Sequence, residues 1–289
     1  MNNNKENIDS IKLFALDMDG TIYLGTKWID GAREFLDAVE SSGRRYVFLT
    51  NNSSKDPTSY VEKLANMGLN ITRDKIITSG DATIHLLQKE YPDKRVYLLG
   101  NDLLKRQFRE SGIILVNDEL EEEYKANGCL SLKSGETQPD NYSAADLVVV
   151  GFDTSLDYLK MSVVCDLVRS GLPYITTHPD YNCPTETGFI PDAGAIHAFI
   201  EASAGRRPDI TVGKPNAGII DYMVDITQTK RSEIAMVGDR LYTDVAAGVN
   251  NGLTGILVLS GEATMEDVAT SDVKPDMIFD SVKSLIPLL

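Results

Sequence analysis

Residues 13–21 read Leu-Phe-Ala-Leu-Asp-Met-Asp-Gly-Thr, an apolar run that breaks off into two carboxylates, Asp17 and Asp19, and then Gly20 and Thr21. Alternation along a strand points Asp17 and Asp19 the same way, at or just past the strand's carboxyl end. Open α/β sheets hold their ligands there. Two carboxylates about 4 Å apart repel by roughly 4 kcal/mol at an effective dielectric of about 20. Such a pair needs a bridging cation, a proton on one member, or divergence into solvent. Taken alone, a solvated acidic turn is the commoner outcome.

Three further apolar runs stop on apt groups. Tyr46–Leu49 ends at Thr50-Asn51-Asn52, Ile210–Val212 runs into Gly213-Lys214, and Ile234–Val237 runs into Gly238-Asp239, with Asp244 five residues on. Each is ordinary by itself: Thr50 and Asn51 suit a helix cap, Lys214 a solvated turn, and Asp239 and Asp244 a turn and a cap. If all four strands lie parallel in one sheet, the groups gather at a single edge. These acids, a hydroxyl and a lysine then suit a hard divalent metal and a phosphoryl group. Magnesium takes oxygen ligands and keeps several waters, so Asp17, the main-chain carbonyl of Asp19 and Asp239 serve as metal ligands, with Asp244 helping directly or through water. In such a site Asp17 would attack phosphorus, and Thr50 would hydrogen-bond a phosphoryl oxygen. Lys214 offsets the crowded negative charge. Asp19, the group most easily kept protonated, supplies the leaving alcohol's proton and later deprotonates water.

The elements that must position these groups alternate. Strands at 13–16, 46–49 and 76–79 are separated by helices at 32–41 and from Pro57 to Met67, with a glycine- and aromatic-rich loop after the first strand and a helix near 82–89 after the third. Strand–helix alternation at this spacing indicates a parallel sheet. The same grammar restarts with strands at 96–99, 113–116, 147–150 and 174–176 and helices at 103–110, 156–170 and 194–203, interrupted by an acidic segment (118–123), a polar loop (131–140) and a turn-rich segment (177–184). Strands at 210–212, 234–237, 255–259 and 277–279 and a short final helix follow. The expected fold class is α/β: a core made from both ends of the chain (1–81 and 207–289) with a second α/β domain inserted over 82–206.

Composition narrows the partners. The chain has 289 residues, 42% hydrophobic and 25% charged, with a formal net charge of −15. That balance argues against nucleic acid or an anionic membrane as a main partner, and it makes an anionic substrate depend on a metal or a placed lysine. The three cysteines, Cys129, Cys165 and Cys183, carry no zinc or redox spacing and fit a reducing compartment. The polar, Asn-rich start has no signal-peptide core, and no apolar run approaches the roughly 18 residues of a membrane span. The expected location is cytoplasmic.

Asp17-Met18-Asp19-Gly20-Thr21, Thr50, Lys214 and Gly238-Asp239 through Asp244 resemble, in order, the four motifs of the haloacid dehalogenase (HAD) superfamily. The short loop after Thr21, Thr50-Asn51-Asn52-Ser53 and the large insertion resemble subfamily IIA, the branch of the nitrophenylphosphatases, pyridoxal and phosphoglycolate phosphatases and NagD-like sugar phosphatases. The resemblance implies a Rossmann-like three-layer core with a mostly parallel sheet, an inserted α/β cap domain, Mg2+ as cofactor, and hydrolysis of phosphate monoesters, since Asp at position 19 distinguishes phosphatases from dehalogenases. It also implies that a cap closing over the leaving group favours small phosphorylated metabolites, and that a homodimer through the cap is open. Asn51 and Asn52 are expected to bind the phosphate or the substrate near it. His178-Pro179-Asp180, with Gly188, Pro191 and Gly194, resembles the family's cap loop, so His178, Asp180, Asp153 and the neighbourhood of Cys183 are expected at the leaving group. Two positions depart from the family's usual residues, His178 for Asn and Asp192 for Gly, and bear on the substrate rather than the reaction. His85 and His197 are expected to be packing or surface residues. Two alternatives use the same residue types: a phospho-aspartate signalling or phosphotransfer module, and a metal-binding protein with a decayed site.

Overall fold

The computed structural model describes residues 8–130, 145–185 and 187–289; the expected loop at 131–140 lies outside them. The strands run β1 (Leu13–Leu16), β2 (Tyr23–Leu24), β3 (Lys27–Trp28), β4 (Arg45–Thr50), β5 (Ile76–Thr78), β6 (Arg95–Leu99), β7 (Ile114–Leu115), β8 (Leu147–Val150), β9 (Tyr174–Thr176), β10 (Asn182–Thr185), β11 (Gly188–Pro191), β12 (Ile210–Thr211), β13 (Ile234–Gly238), β14 (Thr254–Val258) and β15 (Met277–Phe279). The chain divides into two compact units. One holds the described residues up to Thr50 with Pro57–Thr78 and Gly213–Leu289; the other holds Asn51–Asp56 and Ser79–Val212.

The first unit is built on a six-stranded parallel sheet in the order β15-β14-β13-β1-β4-β5. All four β1 residues are buried, as a strand covered on both faces requires. The helix Ala32–Ser41 buries Phe35, Leu36 and Val39, and Phe35 meets Phe14 edge-to-face at 5.7 Å. Chain order reverses direction at the β13–β1 boundary, the switch point where such sheets bind ligands. Register does the positioning. Leu16 sits opposite Val237 on one side and Phe48 on the other, so Asp17, Asp239 and Thr50 fall together at the carboxyl ends of three adjacent strands.

The second unit has a five-stranded parallel sheet, β12-β9-β8-β6-β7, with its own core around Tyr97, Val148, Val163, Leu167 and Tyr174. Both units are α/β with parallel sheets, the expected class. Four local expectations are corrected. Ile210–Thr211 pairs with β9 in the second unit's sheet, so Lys214 does not end a strand of the first sheet. An Ile-Thr-Val run carries no mark of which sheet it joins. The acidic stretch 118–123 lies in a helix, Asn117–Asn127, ended by Gly128 in the left-handed region; acids in a first turn favour a helix N-terminus. The aromatic loop after β1 forms the hairpin β2–β3, and the turn-rich segment after β9 leads into the hairpin β10–β11. Among the described residues no helix is long and apolar enough to cross a membrane.

Candidate active site

Asp17 leaves β1 with its N–H donated to Val237 O at 2.9 Å, which locks the residue to the neighbouring strand at the point where the ladder ends. After it, the carbonyl of Met18 accepts the N–H groups of Thr21, Ile22 and Tyr23, a tight turn that places Asp19 at a bridge with Tyr23. Gly20 makes the turn possible in two ways. Its φ is +88°, and a Cβ there would overlap the Asp239 carboxylate. Both constraints exclude any other residue.

Asp239 follows β13. Its Oδ2 accepts the Glu262 N–H at 2.7 Å, and Thr21 Oγ1 lies 3.5 Å from its Oδ1. A wide helical turn, Leu241–Val245, then folds Asp244 back over the strand end. A Cβ at Gly238 would collide with Asp244, and Asp244 Oδ2 accepts the Arg240 N–H at 3.2 Å. Such widened turns recur at functional sites. Lys214, although not on a strand of this sheet, reaches the same place. Its Nζ lies 2.7 Å from Asp17 Oδ1, 2.7 Å from Asp244 Oδ1 and 2.9 Å from the Leu49 carbonyl near the end of β4. Thr50, the last residue of β4, is buried beside it in sequence and opposite Thr78.

The electrostatics of this cluster are unbalanced. Oxygens of Asp17, Asp239 and Asp244 all lie within 4.8 Å of one another, against the ammonium of Lys214. Burial, followed by the Asp244 carboxylate, pushes Asp17 well above the usual carboxylate range; Lys214 opposes this and Asp239 adds to it. Burial and Asp244 likewise raise Asp239 to about 6, opposed by the Glu262 N–H and Arg240. Burial disfavours the ammonium of Lys214, but Asp17 and Asp244 outweigh it, so Lys214 stays charged. Three carboxylates held this close by their own backbones, with all-oxygen donors, suit a hard divalent cation. Asp19 is not one of the three converging carboxylates.

The second unit receives the remaining candidates. Asn51 Nδ2 donates to Asp180 Oδ1 at 3.1 Å, and Asn52 Nδ2 approaches Cys183 Sγ at 3.7 Å. Asp153 and His178, expected at the leaving group, are both buried and hold partners of their own. The Asp153 side chain is fully buried, ion-paired to Lys160 at 2.9 Å and bonded to Ser155. His178 is also fully buried, with Nε2 2.8 Å from Asp192 Oδ1. The two departures from the family's usual residues are thus one contact. His197 is a packing residue: it bonds Tyr174 and Thr176, and burial lowers it to about 3, so it is neutral. Missed in the sequence were the Glu262 N–H and Arg240. Arg240 is held by Glu262 at 2.8 Å, and its charge is stabilised, against burial, by Asp17 first and Tyr242, Asp244 and Glu262 after it. The adjacency of Arg240 to Asp239 is its one sequence signal; Glu262, 23 residues away from Asp239, leaves none.

Comparison with known proteins agrees with this geometry. Residues 14–114 match a family model for haloacid dehalogenase-like hydrolases, and residues 211–285 match a second, HAD-hydrolase-like model. An acid sugar phosphatase of Staphylococcus epidermidis is 33% identical over 273 residues, 94% of this chain and 96% of its own. The chain belongs to the haloacid dehalogenase superfamily. Within it, the chain is a phosphatase of subfamily IIA. The 4-nitrophenylphosphatase of Thermotoga maritima has a similar structure, with a TM-score of 0.84 at 41% identity over 97% of this chain and 98% of that one. NagD from Escherichia coli K-12 gives 0.79 at 30% identity over 94% and 97%.

Proposed function

We propose that this HAD phosphatase hydrolyses monoesters of small phosphorylated metabolites through an aspartyl-phosphate on Asp17, with Mg2+ as its cofactor, in the cytoplasm. The observation that carries the reading is the three-carboxylate cluster: Asp17, Asp239 and Asp244 converge on one another and are answered by one lysine. Asp17, Asp239 and Asp244, with the Asp19 carbonyl, would hold the metal. Bound there, the ion lowers the cost of three adjacent carboxylates and offsets charge on the phosphoryl oxygens.

The chain's own residues divide the work. Asp17 attacks phosphorus; the bond to the ester oxygen breaks, and an acyl phosphate forms. Asp19 gives its proton to the departing alkoxide, then takes a proton from the water that attacks the acyl phosphate, which returns Asp17 as a carboxylate and releases inorganic phosphate. Thr50 donates its hydroxyl hydrogen to a non-bridging oxygen. Lys214 favours the ionised form of Asp17 and neutralises charge in the transition state. Asn51, Asn52 and Asp180 bind the substrate.

The relatives named acid sugar phosphatase make a sugar phosphate the first ester to test, and 4-nitrophenyl phosphate supplies the generic control. In a phosphate-ester panel ranked by kcat/KM with Mg2+, Asp17→Asn is expected to lose at least about 10³-fold in turnover on every ester. Near-normal turnover of that variant would remove Asp17 from the mechanism.

A further inference from the structure

Two departures from the family's usual residues, 14 positions apart in sequence, meet in the interior of the second unit, and the contact does not stop with them. His178 Nδ1 lies 2.8 Å from Thr177 Oγ1. Thr177 Oγ1 lies 3.1 Å from Ser53 Oγ, and Ser53 Oγ accepts the Phe152 N–H at 2.9 Å. Ser53, Thr177, His178 and Asp192 are each at most 3% exposed.

One assignment of hydrogens satisfies every link with a neutral ring. Asp192 is an acceptor, so His178 carries its hydrogen on Nε2 and donates it there. Nδ1 then accepts from the Thr177 hydroxyl, which accepts from the Ser53 hydroxyl, which accepts from Phe152. All donors point toward Asp192. The tautomer follows from this pattern. A fully satisfied buried chain of this kind fixes geometry that an apolar core would leave adjustable.

What it fixes is the short segment that the second unit contributes immediately after Thr50. Three successive residues of that segment each bond the cap loop: Asn51 to Asp180, Asn52 to Cys183, Ser53 to Thr177. The far end of the chain reaches the same pair. Asp192 caps the helix Ala193–Ala204, accepting the Ala193 N–H at 2.6 Å, and the next residue, Gly194, donates to the Asp180 carbonyl at 2.7 Å. A Cβ at Gly194 would collide with Pro179 and Asp180. Ser79, where the chain re-enters the second unit, donates its hydroxyl to the Asn51 carbonyl. Asn51 and Asp180 are therefore held from both sides.

We propose that Ser53, Thr177, His178 and Asp192 form a buried positioning chain that fixes the Asn51–Asp180 pair, and that through this pair the chain sets how tightly the substrate's leaving group is held. His178 acts here as a positioning residue and not as a substrate contact. The proposal rests on the reading in which Asn51 and Asp180 bind the substrate.

The test cuts one link from both ends. Ser53→Ala, Thr177→Val and the double variant are assayed with 4-nitrophenyl phosphate and with a sugar phosphate, in Mg2+, alongside the melting temperature. The proposal predicts that each single variant raises KM by about tenfold while kcat stays within about threefold, and that the double variant is no worse than the worse single. His178→Phe, which keeps the ring's bulk and drops both bonds, is expected to match them. If Thr177→Val fails to fold, the milder Ser53→Ala and His178→Phe carry the same comparison. KM within about twofold of the parent despite a lower melting temperature makes the chain mere core support and overturns the proposal. So do multiplying KM effects in the double variant, or a fall in kcat at constant KM. Asp17→Asn, assayed in parallel, keeps the two readings apart: turnover retained there defeats the Asp17 mechanism, while the KM pattern still decides the positioning chain.

Discussion

The two units each bury acids, and they balance them differently. In the first unit, Asp17, Asp239 and Asp244 converge on one another and on the single ammonium of Lys214. In the second, Asp153 is matched one-to-one by Lys160 and bonded by Ser155, and Asp192 is satisfied by hydrogen bonds from the His178 ring and the Ala193 N–H. Acids satisfied in this way hold a core in register. Burial first, and the neighbouring Asp244 carboxylate after it, raises Asp17 and Asp239, and the cluster persists because the fold forces it. Strand register sets Asp17 and Asp239 side by side, and Gly20 and Gly238 leave room for the carboxylates alone. The excess negative charge suits a cation, and that sets this cluster apart from the individually satisfied acids of the second unit.

Replacing the lysine on each side sharpens the contrast. On the proposed mechanism, Lys214→Met is expected to cut turnover by about 10²- to 10³-fold, because the ammonium that favours the ionised form of Asp17 and opposes phosphoryl charge is gone; a steady-state assay at saturating Mg2+ reads this. Lys160→Met leaves the fully buried Asp153 carboxylate without its cation. Breaking a buried pair from one side costs about 3–5 kcal/mol, so denaturant midpoints should drop sharply while kcat stays within about threefold. If Lys160→Met silenced catalysis with little loss of stability, the balanced pair would be part of the reaction and the distinction would fail.

A smaller effect comes from pH. Asp239 sits at about 6 in the folded protein against an ordinary value of 3.8, so between those values the folded state binds more protons than the unfolded one. In metal-free protein the stability contributed by protonated Asp239 is complete below about pH 4 and is lost as pH rises through about 6. A metal needs the same carboxylate deprotonated. The gain in melting temperature on adding Mg2+ should therefore grow from pH 5 to pH 7. A gain independent of pH would mean that the cation binds elsewhere.

Much of this was legible in the sequence because it lies in short, local runs. β1 and β13 are unbroken apolar stretches that stop on acids, and parallel pairing fixes the rest, so Asp17, Thr50 and Asp239 follow from strand ends alone. Lys214 arrives by another route than a strand end of this sheet. It reaches Asp17 and Asp244 from a loop after β12, a strand of the other sheet, and an Ile-Thr pair does not state its partner. Interior chemistry of the second unit was less legible. His178 sits in a turn-rich stretch that suggests exposure, and neither its partner Asp192 nor the Lys160 that pairs with Asp153 is marked as such in the sequence. The acidic 118–123 stretch lacked a helical apolar stripe, so a helix stabilised at its ends went unseen.

The central claim is that the unbalanced acid does covalent chemistry. Rapid mixing of enzyme, Mg2+ and 4-nitrophenyl phosphate, quenched in acid and followed by mass spectrometry of the digested protein, tests it most directly. The account predicts a phosphoryl adduct on the peptide that contains Asp17, labile to hydroxylamine as an acyl phosphate must be, and absent in Asp17→Asn. Turnover at the normal rate with no adduct on that peptide at any quench time, under conditions that preserve a control acyl phosphate, would contradict it.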